Sequence, residues 1–161
     1  MASNGADDVN KVWDLAKSIG VAMIASWDGK SLHSRPMSTH VERDENTFYF
    51  LTDKTDQKTK DLKQYPTVCM AFGDASGMKF VSITGEATVS DDRAKIKDLW
   101  SVWAKAWWDS PEDPNICVLK IVPTKAEYWD TPGKIVATVK MAVAAATNTR
   151  PEIGEQRKVA M

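Results

Sequence analysis

The dipeptide Asp28-Gly29 lies between an apolar run, Val21–Trp27, and a second extended run over about residues 31–41. A two-residue Asp-Gly link is a strong hairpin signal, because a type I′ turn needs positive φ at both central positions. Asp44-Glu45-Asn46 leads in the same way into a strand at 47–52, and Asp74-Ala75-Ser76-Gly77 joins strands at 67–73 and 79–89. A long last strand occupies 116–129, bent at Pro123, and Gly85 interrupts the strand before it. Such links are too short for parallel crossovers, which need a dozen residues or more. The chain is thereby confined to a mainly β fold: about six antiparallel strands in a small barrel with peripheral helices.

The helices sit around this core. Residues 7–18 place Val9, Val12, Trp13, Leu15, Ala16 and Ile19 at helical spacing. Asp53 or Thr55 is suited to cap a short helix that ends before Pro66. Ser90-Asp91-Asp92 caps a third helix, on which Ile96, Leu99, Trp100, Trp103 and Trp107 share one face. Residues 134–146 read as an alanine-rich helix. We expect one domain over 1–146 and a polar, loosely ordered tail over 147–161.

Composition excludes several functions. A formal net charge of −1 over 161 residues supplies no basic field for nucleic acid. The longest apolar stretch, Val21–Trp27, is too short to span a bilayer, and the N-terminus lacks the order of a signal peptide. Cys69 and Cys117 lie in apolar runs without metal-ligand spacing, as expected of reduced thiols in a cytoplasmic protein. Gly-rich dinucleotide and phosphate loops are absent, as are Ser and Cys nucleophile motifs.

One constellation carries chemistry. Arg35 lies in Ser34-Arg35-Pro36-Met37, inside an extended run that proline must kink, bulge or keep at an edge. Thr52 ends the next strand, and Lys58 follows on the short helix. A guanidinium, a hydroxyl and a helix start around one hairpin suit a small anion such as phosphate. Taken singly, Arg35 reads as a strand-end arginine bridging a carboxylate, and the lysines as a solvated helix face. His33 and His40 complete no metal site. His40 faces away from Arg35 in a regular strand, unless a bulge at Pro36 reverses it. Of the seven tryptophans, Trp100, Trp103, Trp107 and Trp108 fall within nine positions and read as core or subunit interface. Trp129, at a strand end before Thr131-Pro132-Gly133, is placed to lie against a flat ligand.

Ser34-Arg35-Pro36-Met37, Phe50-Leu51-Thr52 with Lys58 beyond, and Glu127-Tyr128-Trp129 resemble the FMN-binding split barrel of pyridoxamine 5′-phosphate oxidase relatives. The general stress proteins are the most similar branch, and the resemblance runs over about residues 9–140. It implies a six-stranded antiparallel split barrel and a cytoplasmic homodimer with FMN at the subunit interface. By position, Arg35, Thr52 and Lys58 would hold the phosphate, with Leu51 beside them. Pro36 and Met37 would follow the flavin edge, and Trp129 would approach from the partner chain. His40 and Gln57 stand where the oxidases carry a lysine and an arginine, and Phe80 where they carry a glutamine. The oxidases' Tyr-xxx-Arg-xxx-Ser and Arg-x-His sets for the vitamin phosphate have no counterpart here. The resemblance therefore implies an FMN-dependent oxidoreductase acting on an unidentified small redox substrate, or a non-catalytic flavin carrier, rather than a vitamin B6 oxidase. These residues do not separate FMN from FAD.

Overall fold

The structure, a computed structural model, describes residues 5–151 and 154–161. In chain order its elements are α1 (Gly5–Ile19), β1 (Val21–Trp27), β2 (Leu32–Ser38), β3 (His40–Glu42), β4 (Thr47–Asp53) and α2 (Gln57–Gln64). There follow β5 (Thr67–Asp74), β6 (Lys79–Ser90), α3 (Arg93–Leu99), β7 (Ile116–Asp130), α4 (Lys134–Thr147) and β8 (Glu155–Ala160). All the strand pairs are antiparallel, in the order β2-β1-β5-β6-β7-β4-β3, with β8 added on β7. The mainly β class read from the hairpin signals is the one observed, with eight strands rather than six among the described residues. The first hairpin closes through four residues, 28–31, with positive φ at Gly29 alone, rather than through a two-residue turn.

Both extra strands have physical reasons. The run expected over 31–41 breaks at Thr39: its N–H still donates to the Gly20 carbonyl at 2.9 Å, one step past the Val21–Ser38 pair, and from His40 onward the chain pairs with β4 instead. Pro36 causes no bulge: β2 is an edge strand paired to β1 in continuous register, Pro36 opposite Met23. The second extra strand, β8, lies in the segment expected to be a loose tail. β4 pairs with β7 only as far as Ile121, so beyond Pro123 that edge of β7 carries unmatched backbone groups. β8 satisfies them from Lys125 to Asp130. Only Val159 of β8 is buried, so backbone pairing rather than apolar patterning recruits this strand.

β4 is covered on both faces. Phe48 and Phe50 enter the main core, where Phe48 stacks on Trp13 of α1 with centroids 4.5 Å apart. Tyr49 turns to a smaller core formed with Ile96 and Leu99 of α3 and Ile116 and Val118 of β7. Gly85 marks the one register shift between β6 and β7, and a Cβ there would meet Ile121 Cγ2 at 2.6 Å.

The tryptophan helix is shorter than its spacing suggests. α3 starts on Asp92, whose carboxylate accepts from the Lys95 N–H at 3.1 Å, and ends at Leu99. Trp100 is extended, a 3-10 turn follows at Ala104–Ala106, and this detour lets both Trp100 and Trp108 pack on the smaller core. Trp103 and Trp107 face solvent instead. α4 buries Ala137 and Ala144, seven residues apart on one face, and leaves Val136, Val139, Met141 and Val143 exposed. No helix among the described residues is long and apolar enough to cross a membrane.

Candidate functional site

A cavity of about 610 Å³ opens between β2, the end of β4, the start of α2 and the segment after α3. Its volume lies in the range of ordinary ligand sites. Arg35, Pro36, Met37 and His40 line it from β2 and β3, Leu51 and Thr52 from β4, and Lys58 from α2. These residues come together because β2 and β3 are one chain broken at Thr39. His40 lines the same cavity as Arg35 although no bulge forms at Pro36; the chain breaks instead at Thr39, three residues later.

The cations differ from their ordinary readings. No carboxylate among the described residues pairs with Arg35; its side chain makes a long 3.4 Å hydrogen bond to the Ser26 hydroxyl. The Lys58 side chain is only 10% exposed, and its ammonium lies 3.3 Å from Asp56 Oδ2. Asp56 is half exposed, so an incoming anion can displace it without burying an unpaired charge. The expected helix cap is divided. Asp53 Oδ1 accepts from the N–H and hydroxyl of Thr55 at 2.8 and 2.6 Å, and Asp56 occupies the cap position without a side-chain bond.

Protonation follows from these contacts. The Thr55 hydroxyl and then its N–H hold the Asp53 carboxyl below the usual range, with smaller help from Trp108 and Lys58. Burial lowers the His40 imidazole below its ordinary value, against the pull of Glu42 and Asp98. Cys117, opposite Thr52 in the ladder, has its thiol pushed up by burial, which suits a packed residue and not a nucleophile.

Gln57 and Trp129 stand outside this lining. Gln57 is exposed and donates to Asp61 Oδ1 at 3.0 Å. Trp129 lies on β7 between Phe80 and Gln156 in register. Conversely, Ser101, Trp103, Ala104, Trp107 and Trp108 line the cavity as a wall, three of them tryptophans that the sequence had assigned to core or interface. The density of tryptophans was the available signal; the early end of α3 was not legible. The Thr39 hydroxyl, between cavity residues Ser38 and His40, is buried without a hydrogen-bond partner.

A split antiparallel barrel with a cavity beside its broken edge strand defines a class of protein. Residues 7–152 match the family model for pyridoxamine 5′-phosphate oxidase-like proteins, and the chain belongs to that family. General stress protein 26 of Bacillus subtilis is 31% identical over 128 residues, covering 74% of this chain and 86% of that protein. A crystal structure assigned to general stress protein 26 of Jannaschia sp. CCS1 superposes with a TM-score of 0.78 at 26% identity, covering 98% of this chain and all of that one. The general stress FMN/FAD binding protein of Xanthomonas citri has a TM-score of 0.66 at 29% identity, covering 74% and 86% of the two chains.

Proposed function

We propose that the cavity binds a flavin nucleotide, FMN in the first instance, with its phosphate on Arg35, Lys58 and Thr52. The observation that carries this reading is the convergence of an arginine without a carboxylate partner, a largely buried lysine and a hydroxyl from three separate elements on one cavity. Forked guanidinium donors and a charged lysine form the short, strong hydrogen bonds that a phosphate accepts. Pro36 and Met37 continue the same strand along the cavity, where a planar ring can lie against them. The family membership and the flavin-binding relative from Xanthomonas citri support the same choice.

We further propose that the protein is a homodimer with the flavin at the interface and Trp129 of the partner subunit near the ring. Val21, Met23 and Trp27 leave a continuous apolar strip exposed on β1, and Val21 also lines the cavity, so the strip and the site adjoin. A second copy would cover both.

Bound flavin supplies reversible electron and hydride transfer, and the chain's own task is to bind, orient and shield it. On this basis the protein is an FMN-dependent oxidoreductase of a small substrate. Arg35 and Lys58 are the only lysine or arginine side chains among the described residues lining the cavity. They suffice for one phosphate, which argues against a vitamin B6 phosphate bound beside it. The engagement of Asp53 by the hydroxyl and N–H of Thr55 favours a second reading, a flavin carrier without turnover, since that acid is not free to move protons. The test is the absorption spectrum of the purified protein and the mass of any released ligand, followed by titration with FMN and riboflavin. Flavin bands and preference for FMN are expected. A protein that stays colourless after FMN is added sinks the proposal. Bleaching by a nicotinamide cofactor with reoxidation in air separates the oxidoreductase from the carrier.

A further inference from the structure

Trp103 and Trp107 are 79% and 80% exposed, yet both line the cavity. The chain that carries them is braced. The N–H groups of Trp107 and Trp108 both donate to the carbonyl of buried Ala104 at 3.0 Å. Arg93 of α3 donates to the carbonyls of Pro111, Asp113 and Ile116 at 2.8, 2.8 and 3.0 Å, which anchors the far end of the segment. Trp108 also hydrogen-bonds the carboxylate of Asp53, tying the indole wall to the end of β4. Core packing does not account for two large rings held in water on a fixed backbone.

The charges beside these rings are one-sided. Arg35 and Lys58 are the only lysine or arginine side chains among the described lining residues, and in the flavin reading the phosphate occupies both. Lys105, between the two tryptophans in sequence, is exposed and stands outside the lining. His40 lines the cavity, but burial keeps its imidazole uncharged at neutral pH. Two carboxylates remain. Asp53 is held by the hydroxyl and N–H of Thr55, whereas Asp56 loses its partner when a phosphate takes the Lys58 ammonium, 3.3 Å away. The loaded cavity therefore presents indole faces and a half-exposed carboxylate, with no lysine or arginine left for a second anion.

Resting on the flavin reading above, we infer that Trp103 and Trp107 bind the substrate, and that its class is a planar aromatic molecule without negative charge. Indole offers a wide face on which such a ring stacks in an offset arrangement. A positive substituent gains further, from the electron-rich indole faces and from Asp56. An anionic substituent meets only repulsion from Asp56 and gives up water without a cation to replace it. The lining thus selects by charge as well as by shape.

The test uses three ligands built on one ring: 2-naphthamide, 2-naphthoate and 2-naphthylmethylamine, the last protonated at neutral pH. Full-length protein is loaded with FMN, and binding is followed by calorimetry and by the indole N–H resonances, with sedimentation run in parallel. The amide and the amine should bind and shift those resonances, and the naphthoate should bind roughly tenfold more weakly than the amide, or less. Trp103→Ala and Trp107→Ala should each weaken the amide roughly tenfold while leaving FMN within about twofold. Trp107→Phe, which keeps a ring, should recover most of the loss. Asp56→Asn should weaken the amine roughly threefold and spare the amide. Failure of FMN to load would overturn the flavin reading itself. With FMN loaded, naphthoate binding as tight as that of the amide, or amide affinity unchanged in both alanine variants, would overturn the platform alone. So would alanine variants that change the oligomeric state with amide affinity intact, because the indoles would then serve a contact between copies.

Discussion

The buried Tyr128 hydroxyl of β7 donates to Asp8 Oδ1 of α1 at 2.8 Å, joining the two ends of the core across 120 residues of chain. Burial and then the Asp8 hydrogen bond raise the Tyr128 phenol well above its ordinary value. A raised phenol contributes stability that is complete below the unfolded value near pH 10 and is lost as pH rises beyond it. Tyr128→Phe should therefore destabilise the protein by about 1–2 kcal/mol at neutral pH and flatten the alkaline part of the stability profile. Urea denaturation at several pH values measures both effects.

Arg35→Ala should weaken FMN binding by roughly 1.5–3 kcal/mol, the range of a hydrogen bond to a charged group. Riboflavin, without a phosphate, should respond little. Calorimetric titration of both ligands checks the difference, and equal losses would place Arg35 elsewhere than at the phosphate.

Asp56 competes with any anion for the Lys58 ammonium, 3.3 Å away. Asp56→Asn should tighten FMN binding by about 0.3–1 kcal/mol, with the gain shrinking in high salt. Dissociation constants at two ionic strengths test this, and weaker binding would mean that the pair is needed to hold Lys58 in place.

His40 is lowered below its ordinary value of 6.5, chiefly by burial. The unfolded chain then binds the proton first on acidification. Stability from this group is full above about pH 6.5 and declines as pH falls towards the folded value. His40→Gln should remove that part of the acid slope, as read from thermal midpoints between pH 7 and pH 5.

Gly154 has φ +116°, and a Cβ there would lie 2.6 Å from the Asp130 carbonyl oxygen. Gly154→Ala should loosen β8 and speed amide exchange in Glu155–Ala160, while leaving β4 and its cavity protected. Hydrogen exchange by mass spectrometry resolves the two regions.

Much of this arrangement is legible in the sequence because local chemistry decides it. The apolar face of α1 and the doubly buried β4 each agree with their surroundings, and Asp28-Gly29 marks the turn, though as part of a four-residue link in which only Gly29 has positive φ. The cationic side of the cavity is legible for the same reason, since a proline-bearing edge strand keeps Arg35 beside Met37. What escapes is set by distant partners. The sequence Glu155-Gln156-Arg157-Lys158-Val159-Ala160 looks like a tail until the vacant edge of β7 is known. Trp103 and Trp107 have helical spacing, but α3 ends before reaching them.

β7 changes its neighbour near Pro123, from β4 on one side of that point to β8 on the other. The two halves of this strand consequently answer to different pressures. Residues 116–121 back Thr52 and the cavity, whereas residues 125–130 hold the last strand. Extending or replacing the C-terminal segment should then be a question of solubility and assembly, and the ligand chemistry can persist across chains with unlike endings.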